Sequence, residues 1–393
     1  MIRQTCLPNM IRQKNDSLNM TIHTPTLDTA GRRPIRVLVV DDSAFMRTAL
    51  SRMISSESGL EVAATACDGS EALDKIASLD PDVVTLDVEM PGLNGLQTLR
   101  YIMQRFPRPV IMVSSVTERD AENTFNALAA GAFDYVPKQL SPTSLDILHI
   151  RTDLVTKIRA AAQSRMPPPA CVLDKKPPQS SSSETPDRLF NSTAAIVALG
   201  VSTGGPKALQ EILPLFPSDL PVPLLIVQHM PPGFTAPFAQ RLNNLCAVTV
   251  REATHGESIQ PGVVYLAPSG KHMSVDRVSA SRTVISLDAQ PEDSLHIPSV
   301  DVLMNSVAAA FKELALGVIM TGMGSDGAAG MQSIHRQGGL TIGQDEATCT
   351  VYGMPRACAE LGILTRVVPL SQIPDQILKA THYRRRARAA FTS

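Results

Sequence analysis

Five times after Ile35, a short apolar run is followed by a stretch whose apolar residues recur at helical spacing, and this alternation constrains the chain more than any other feature. The first unit, IRVLVVDD, is continuously apolar and ends in paired acids, the pattern of a strand buried on both faces of a parallel sheet. Ser43 follows as an N-cap candidate, then Phe45, Met46, Ala49, Leu50, Met53 and Ile54 form an apolar stripe of helical period. EVAATA, DVVTLD, PVIMVSS and FDYVP repeat the strand pattern. They are followed by helical stretches at Ser70–Ser78, Gly95–Arg105, Ala121–Ala130 and from Ser144 onward. Alternation of this kind predicts a doubly wound parallel α/β domain over residues 35–159, with its functional edge at the carboxyl ends of the strands.

The 393 residues allow two or three domains. Periodicity disappears over residues 160–192, where PPP at Pro167–Pro169, Pro177, Pro178 and the serines Ser180–Ser183 read as a linker. A second alternation then opens with TAAIVALG and continues through PLLIVQ, GVVYLAP, a strand pair at HMSV and TVISL, LGVIM and LTIGQ. Helices are expected at Pro206–Leu215, Thr235–Leu245, Val300–Leu314 and Gly327–Gln337. A second, Rossmann-like α/β domain is therefore expected at 193–382. Flanking both are a polar extension at 1–34, in which Met10 and Met20 are expected alternative starts, and a basic tail at 383–393.

Composition removes several function classes. The formal net charge is -1, and acids outnumber bases between Thr193 and His382, which argues against nucleic-acid binding. No apolar run approaches the ~20 residues that span a bilayer, so no direct membrane insertion is expected. The N-terminus develops no secretory h-region, and the six cysteines show no metal-ligand spacing. A reducing cytoplasm is the expected compartment, and the chain is expected to act as a monomer.

In the first domain Asp41, Asp42, Asp87, Ser114 and Lys138 fall at strand ends, which a doubly wound sheet gathers into one crevice. Three carboxylates there repel one another unless a cation intervenes, and a hard Mg²⁺ ion suits an all-oxygen set. Lys138 adds a point charge for a phosphoryl group and Ser114 a hydroxyl donor. The set resembles the receiver domain of bacterial response regulators. That resemblance implies a flavodoxin-like five-stranded sheet, Asp87 as phospho-acceptor, Asp41, Asp42 and Asp87 around the metal, and Ser114, Tyr135 and Lys138 as the switch set. One departure is that Pro137 precedes Lys138 and Gln139 follows it, where many receivers have proline directly after the lysine.

In the second domain Gly200, Ser202 and Gly204 satisfy G-x-S-x-G directly between a strand and a helix, the context that gives the motif meaning. His229 ends the next strand, and Asp326 lies in a glycine-rich turn after a later one. Together they supply a nucleophile, an imidazole base and an orienting carboxylate. The order Ser, His, Asp is not that of an α/β-hydrolase, so a convergent triad on a Rossmann-like sheet is expected. Backbone N–H groups of Thr203, Gly204 and Met323 are the oxyanion candidates. His255 and His272 sit in polar turns and read as surface or substrate-rim histidines.

GVSTGGP, QHMPPGF, APSGKHM, PSVDVLMNSV, TGMGSDGAAGM and YGMPRA together resemble the chemotaxis protein-glutamate methylesterases, the CheB type of response regulator. Val201 stands where alanine is common in that family. The resemblance implies phosphorylation-activated hydrolysis of γ-glutamyl methyl esters on methyl-accepting chemoreceptors, with release of methanol and deamidation of selected receptor glutamines. It implies Ser202 as nucleophile, His229 as general base and acid, and Asp326 as orienting carboxylate. It further implies a chemotaxis histidine kinase as phosphodonor, Mg²⁺ for receiver phosphorylation and no cofactor for ester hydrolysis. The alternatives are a receiver-controlled serine esterase acting on another protein substrate, and a response regulator whose output domain only binds a partner.

Overall fold

The computed structural model describes residues 33–115, 117–138, 144–164, 193–279, 282–291 and 294–383. All but a few residues of the expected polar extension, linker and basic tail lie outside the described residues. The N-terminal half runs β1 (Ile35–Val40), α1 (Ala44–Ser55), β2 (Leu60–Ala66), α2 (Gly69–Leu79), β3 (Val83–Asp87) and α3 (Gly95–Arg105). It continues with β4 (Val110–Ser114), α4 (Glu118–Ala129), β5 (Asp134–Pro137) and α5 (Ser144–Gln163). Thus α5 extends into the stretch read as linker. The five strands pair in parallel in the order β2-β1-β3-β4-β5. Ser43 caps α1 by accepting from Met46 N at 3.4 Å, and Asn94 and Gln97 form a capping box at the start of α3.

The C-terminal half begins with β6 (Ile196–Val201), α6 (Gly205–Ile212), β7 (Leu224–Gln228), α7 (Thr235–Leu245), β8 (Thr249–Glu252) and β9 (Val263–Leu266). The hairpin β10 (His272–Arg277) and β11 (Thr283–Asp288) follows, then α8 (Val300–Phe311), β12 (Ala315–Ile319), α9 (Ala328–Arg336) and β13 (Leu340–Gln344). Last come α10 (Met354–Glu360), β14 (Arg366–Val368) and α11 (Ile373–Ala380). Seven strands form a parallel sheet in the order β14-β13-β12-β6-β7-β9-β8, beside the antiparallel β10–β11 ribbon. The elements not expected from the sequence, β8, α10, β14 and α11, are three to eight residues long. Segments that short hold barely one or two periods of any pattern, and tertiary packing decides them.

Both sheets reverse their direction of growth once. In the first the chain steps from β1 outward to β2 and then returns across to β3; in the second it grows from β6 through β7 and resumes on the other side at β12. Connecting loops diverge at such points and leave a crevice at the carboxyl ends of the strands. Asp41 and Asp87 flank the first crevice, and Ser202 and the turn bearing Asp326 flank the second.

The two halves share one continuous apolar core. Phe125 of α4 lies 6.3 Å from the ring of Phe234, edge to face, and 4.9 Å from that of Phe238 on α7. Arg241 of α7 donates to Gln210 Oε1 at 2.7 Å and to Asn126 Oδ1, on α4, at 2.9 Å. Among the described residues no helix is long and apolar enough to cross a membrane.

Candidate active site and carboxylate cluster

Asp41 and Asp87 are buried and Asp42 is exposed, and one carboxylate oxygen from each lies within 4.8 Å of the others. Asp41 Oδ1 accepts from Ser43 N at 2.9 Å and Asp87 Oδ1 from Glu89 N at 3.1 Å. Their Oδ2 atoms are buried and face the Lys138 ammonium, at 3.2 Å for Asp41 and 2.5 Å for Asp87. Burial pushes the Asp87 carboxyl up to about 6, the neighbouring Asp41 adds to this, and Lys138 opposes it. Burial alone would lower the Lys138 ammonium, but Asp87 and Asp41 outweigh it and hold its pKa high. Three carboxylate oxygens within 4.8 Å of one another, two of them from buried residues, fit a divalent cation.

Ser114 is fully buried; its Oγ donates to Ser115 O at 3.2 Å and accepts from Thr124 Oγ1 at 2.7 Å. Tyr135 is buried with its ring 4.8 Å from that of Phe234 and the Lys157 ammonium 5.4 Å over its face. Lys157 donates to Tyr135 O at 2.7 Å and pairs with Asp153 at 3.0 Å and Asp134 at 3.8 Å. The buried Asp134 carboxylate in turn faces the Thr203 hydroxyl of the C-terminal half.

The second crevice is built from backbone outward. Ser202 leaves β6 with its N–H donated to Thr321 O at 3.0 Å, so this amide is occupied. Gly204 then turns with φ 77°, a left-handed conformation that glycine adopts without strain, and α6 begins. Gln228 closes β7 and ties two turns together: its Nε2 donates to Ser202 O at 3.0 Å and to His229 O at 3.1 Å. Thr321 Oγ1 donates to Thr203 O at 2.9 Å, and Thr321 N is held by Gln344 Oε1 at 2.9 Å. Gly322 lies so close that a Cβ there would come 2.8 Å from Ser202 Cβ and 2.2 Å from Met354 Sδ. Among the described residues the N–H groups of Thr203, Gly204 and Met323 have no acceptor.

His229 Nε2 lies 2.8 Å from Asp326 Oδ2, and its Nδ1 is buried with no hydrogen-bond partner. Asp326 is held as a helix cap would be. It accepts from Ser299 Oγ at 2.9 Å, Val300 N at 2.8 Å and Asp301 N at 3.0 Å, all at the N-terminus of α8. Burial favours the neutral acid, but the His229 contact and the helix amides outweigh it and hold the Asp326 carboxyl well below the usual range. Asp326 is therefore an anion that fixes the ring.

Of the three expected triad residues, His229 and Asp326 are hydrogen-bonded and Ser202 is tied to His229 through Gln228 at the backbone, with no hydrogen bond between the Ser202 side chain and His229 among the described residues. Sequence reasoning misses their supports. Gln228 had one signal, a polar residue closing the otherwise apolar β7, and Thr321 a similar one two residues past the end of β12. Ser299 stands before a helix like an ordinary N-cap. His296 carried no local signal, yet its ring stacks on His229 with centroids 4.1 Å apart and planes 20° from parallel. His272 is not a surface or rim residue: it begins β10, is 1% exposed, accepts from Ser299 N at 3.1 Å and donates to Pro291 O at 3.1 Å. His255 is exposed, as a surface reading expects, and its Nδ1 accepts from Leu287 N at 3.0 Å.

Comparison with known proteins adds the following. The CheB methylesterase family matches residues 197–377, and the response regulator receiver domain matches residues 37–148. A protein of Oleidesulfovibrio alaskensis named "Protein-glutamate methylesterase/protein-glutamine glutaminase 1" is 44% identical over 368 residues, covering 88% of this chain and 100% of that one. A Nitratidesulfovibrio vulgaris protein named "Protein-glutamate methylesterase/protein-glutamine glutaminase 2" is 46% identical over 367 residues, again covering 88% and 100%. The crystal structure of the Thermotoga maritima CheB methylesterase catalytic domain is 38% identical, covers 48% of this chain and 99% of its own, and superposes with a TM-score of 0.46.

Proposed function

The chain belongs to the CheB methylesterase family and carries a response regulator receiver domain, and from that premise we propose how its residues perform receiver-controlled protein-glutamate methyl ester hydrolysis and glutamine deamidation in chemotaxis. The substrates are glutamyl methyl esters and glutamines of methyl-accepting chemoreceptors, a histidine kinase is the phosphodonor, and the reaction takes place in the cytoplasm. The observation that carries the mechanism is the hydrogen bond between His229 Nε2 and Asp326, which leaves Nδ1 as the ring's open nitrogen, while Gln228 bonds the backbone oxygens of both Ser202 and His229.

Ser202 Oγ attacks the ester carbonyl carbon while its proton passes to His229 Nδ1. Asp326 stabilises the resulting imidazolium through Nε2, the reverse of the ring atoms used in the trypsin-like arrangement. The N–H groups of Thr203, Gly204 and Met323 receive the carbonyl oxygen as it gains charge. When the tetrahedral adduct collapses, the C–O bond to methoxide breaks, Nδ1 returns the proton, and methanol leaves. Water then repeats the sequence on the acyl-serine, its proton passing to Nδ1 and on to Ser202 Oγ, to free the glutamate. A glutamine follows the same path and releases ammonia.

In the receiver, Asp87 accepts the phosphoryl group and Lys138 is placed to pair with it, while Asp41, Asp42 and Asp87 would hold Mg²⁺. When bound, that ion supplies positive charge to the three carboxylates and to the phosphoryl oxygens. Docking of α4 and β5 on Phe234 and Phe238 is the inhibited arrangement, and Ser114 and Tyr135 transmit phosphorylation to it. The direct test is Ser202→Ala on membranes bearing methylated chemoreceptors. Methanol release should vanish while Asp87 is still phosphorylated, and persistent release would sink the assignment.

A further inference from the structure

We propose that His296 is a positioning residue for ester hydrolysis, its ring lying flat on His229 and holding that imidazole in the orientation that joins Asp326 to the nucleophile. This inference rests on the reading of His229 as the general base. The geometry behind it is the parallel pair of rings, 4.1 Å between centroids and 20° between planes. A single hydrogen bond, from Nε2 to Asp326 at 2.8 Å, pins one ring atom but leaves the ring able to rock about it. Such rocking swings Nδ1, the atom that must face the serine, and small misplacements of a reacting atom are costly. A flat neighbour removes that freedom.

One short segment delivers the whole arrangement. His296 lies three residues before Ser299, whose Oγ donates to Asp326 Oδ1 and whose N–H is anchored on the buried His272. The stacked ring and the carboxylate's supports are thus set by the same turn into α8. His272, 1% exposed and bonded at both ring nitrogens, makes that turn rigid.

The chemistry of the stacked ring suits the role. Burial and the facing His229 push the His296 imidazole down to about 4, while Asp326 and Asp153 of α5 act in the opposite direction. Asp153 is itself paired with Lys157 at 3.0 Å. His296 is therefore neutral at pH 7 and does not compete for the proton. A neutral aromatic face also favours the imidazolium that His229 becomes during attack, and it keeps water from one side of the ring.

The test uses the full-length chain, phosphorylated by a small phosphodonor with Mg²⁺, on membranes bearing methylated chemoreceptors. His296→Ala should lower kcat about tenfold with KM unchanged, the scale of one aromatic face lost to a cation. The acid limb of its kcat/KM profile should move to lower pH, because the imidazolium loses the aromatic face that favoured it. His296→Phe should recover kcat to within about threefold and return the acid limb to its original position. Wild-type kcat in His296→Ala, or equal losses in both variants with the acid limb unmoved, would overturn the inference. Should the alanine variant fail to fold, the phenylalanine variant decides: a large loss of kcat in folded His296→Phe refutes the positioning role. Ser202→Ala and His229→Gln run alongside. Methanol release by either refutes the triad reading itself, whereas inactivity of both with an indifferent His296→Ala refutes this inference alone.

Discussion

The ring of Tyr135, on the last strand of the receiver sheet, lies 4.8 Å from the ring of Phe234, five residues beyond His229 in the catalytic half. The proposed receiver switch residue and the segment that follows the proposed catalytic base therefore touch. Phe125 completes the contact by packing on both Phe234 and Phe238.

Loosening this contact from the receiver side should release the enzyme. Phe125→Ala deletes two aromatic pairs without altering the catalytic crevice, and such pairs contribute about 0.5–1.5 kcal/mol each beyond their buried area. Methanol release without phosphodonor is expected to rise at least about fivefold, and the further gain from phosphodonor to shrink accordingly. An unchanged basal rate would show that the aromatic contact does not restrain catalysis.

Gly322→Ala should inactivate the enzyme from outside the triad. The added methyl would press on Ser202 Cβ at 2.8 Å and on Met354 Sδ at 2.2 Å, displacing the nucleophile. A misplacement of that size costs about 100-fold in kcat, while phosphorylation of Asp87 should proceed at the normal rate. Near-normal methanol release would mean that the crevice tolerates a side chain there.

Mg²⁺ should raise the thermal midpoint of the receiver transition, increasing with the logarithm of its concentration as binding linkage requires. Asp42→Asn and Asp87→Asn should each blunt that response, since each removes a ligand. Asp87→Asn should also stabilise the Mg²⁺-free protein, because it takes one charge from a crowded buried cluster. Calorimetry with and without EDTA reads both effects, and an identical Mg²⁺ response in all three proteins would contradict the assigned ligand set.

His296 should make stability acid-sensitive. Its folded pKa is pushed down to about 4 by burial and His229, whereas an unfolded histidine titrates near ~6.5. Between those values the unfolded chain binds a proton that the folded chain does not, so this contribution to stability falls as pH drops from ~6.5 towards ~4. His296→Phe should flatten that part of the urea-midpoint profile. A profile that falls as steeply in the variant would assign the acid sensitivity to other groups.

How much of this was legible beforehand follows from the range of the interactions. Two α/β domains are written locally, because a run such as IRVLVV or LLIVQ is apolar enough to be buried on both faces whatever surrounds it. The strand-end position of Asp41, Asp87, Ser202 and His229 is equally local, since sheet topology sends every carboxyl end to one edge. Short elements such as β8 and β14 were not legible, having too few residues to show a period.

The sequence by itself determined the folds, the family and the residues offered to each crevice, because strand-end motifs in order need no knowledge of packing. Only the tertiary structure decided what holds those residues. Gln228 reaches back to Ser202, Ser299 turns its hydroxyl to Asp326 instead of capping its own helix, and His296 lies on His229 from 67 residues away in the chain. Such pairings depend on which side chains the folded sheets and loops bring within a few ångströms, and separation along the chain carries no record of that.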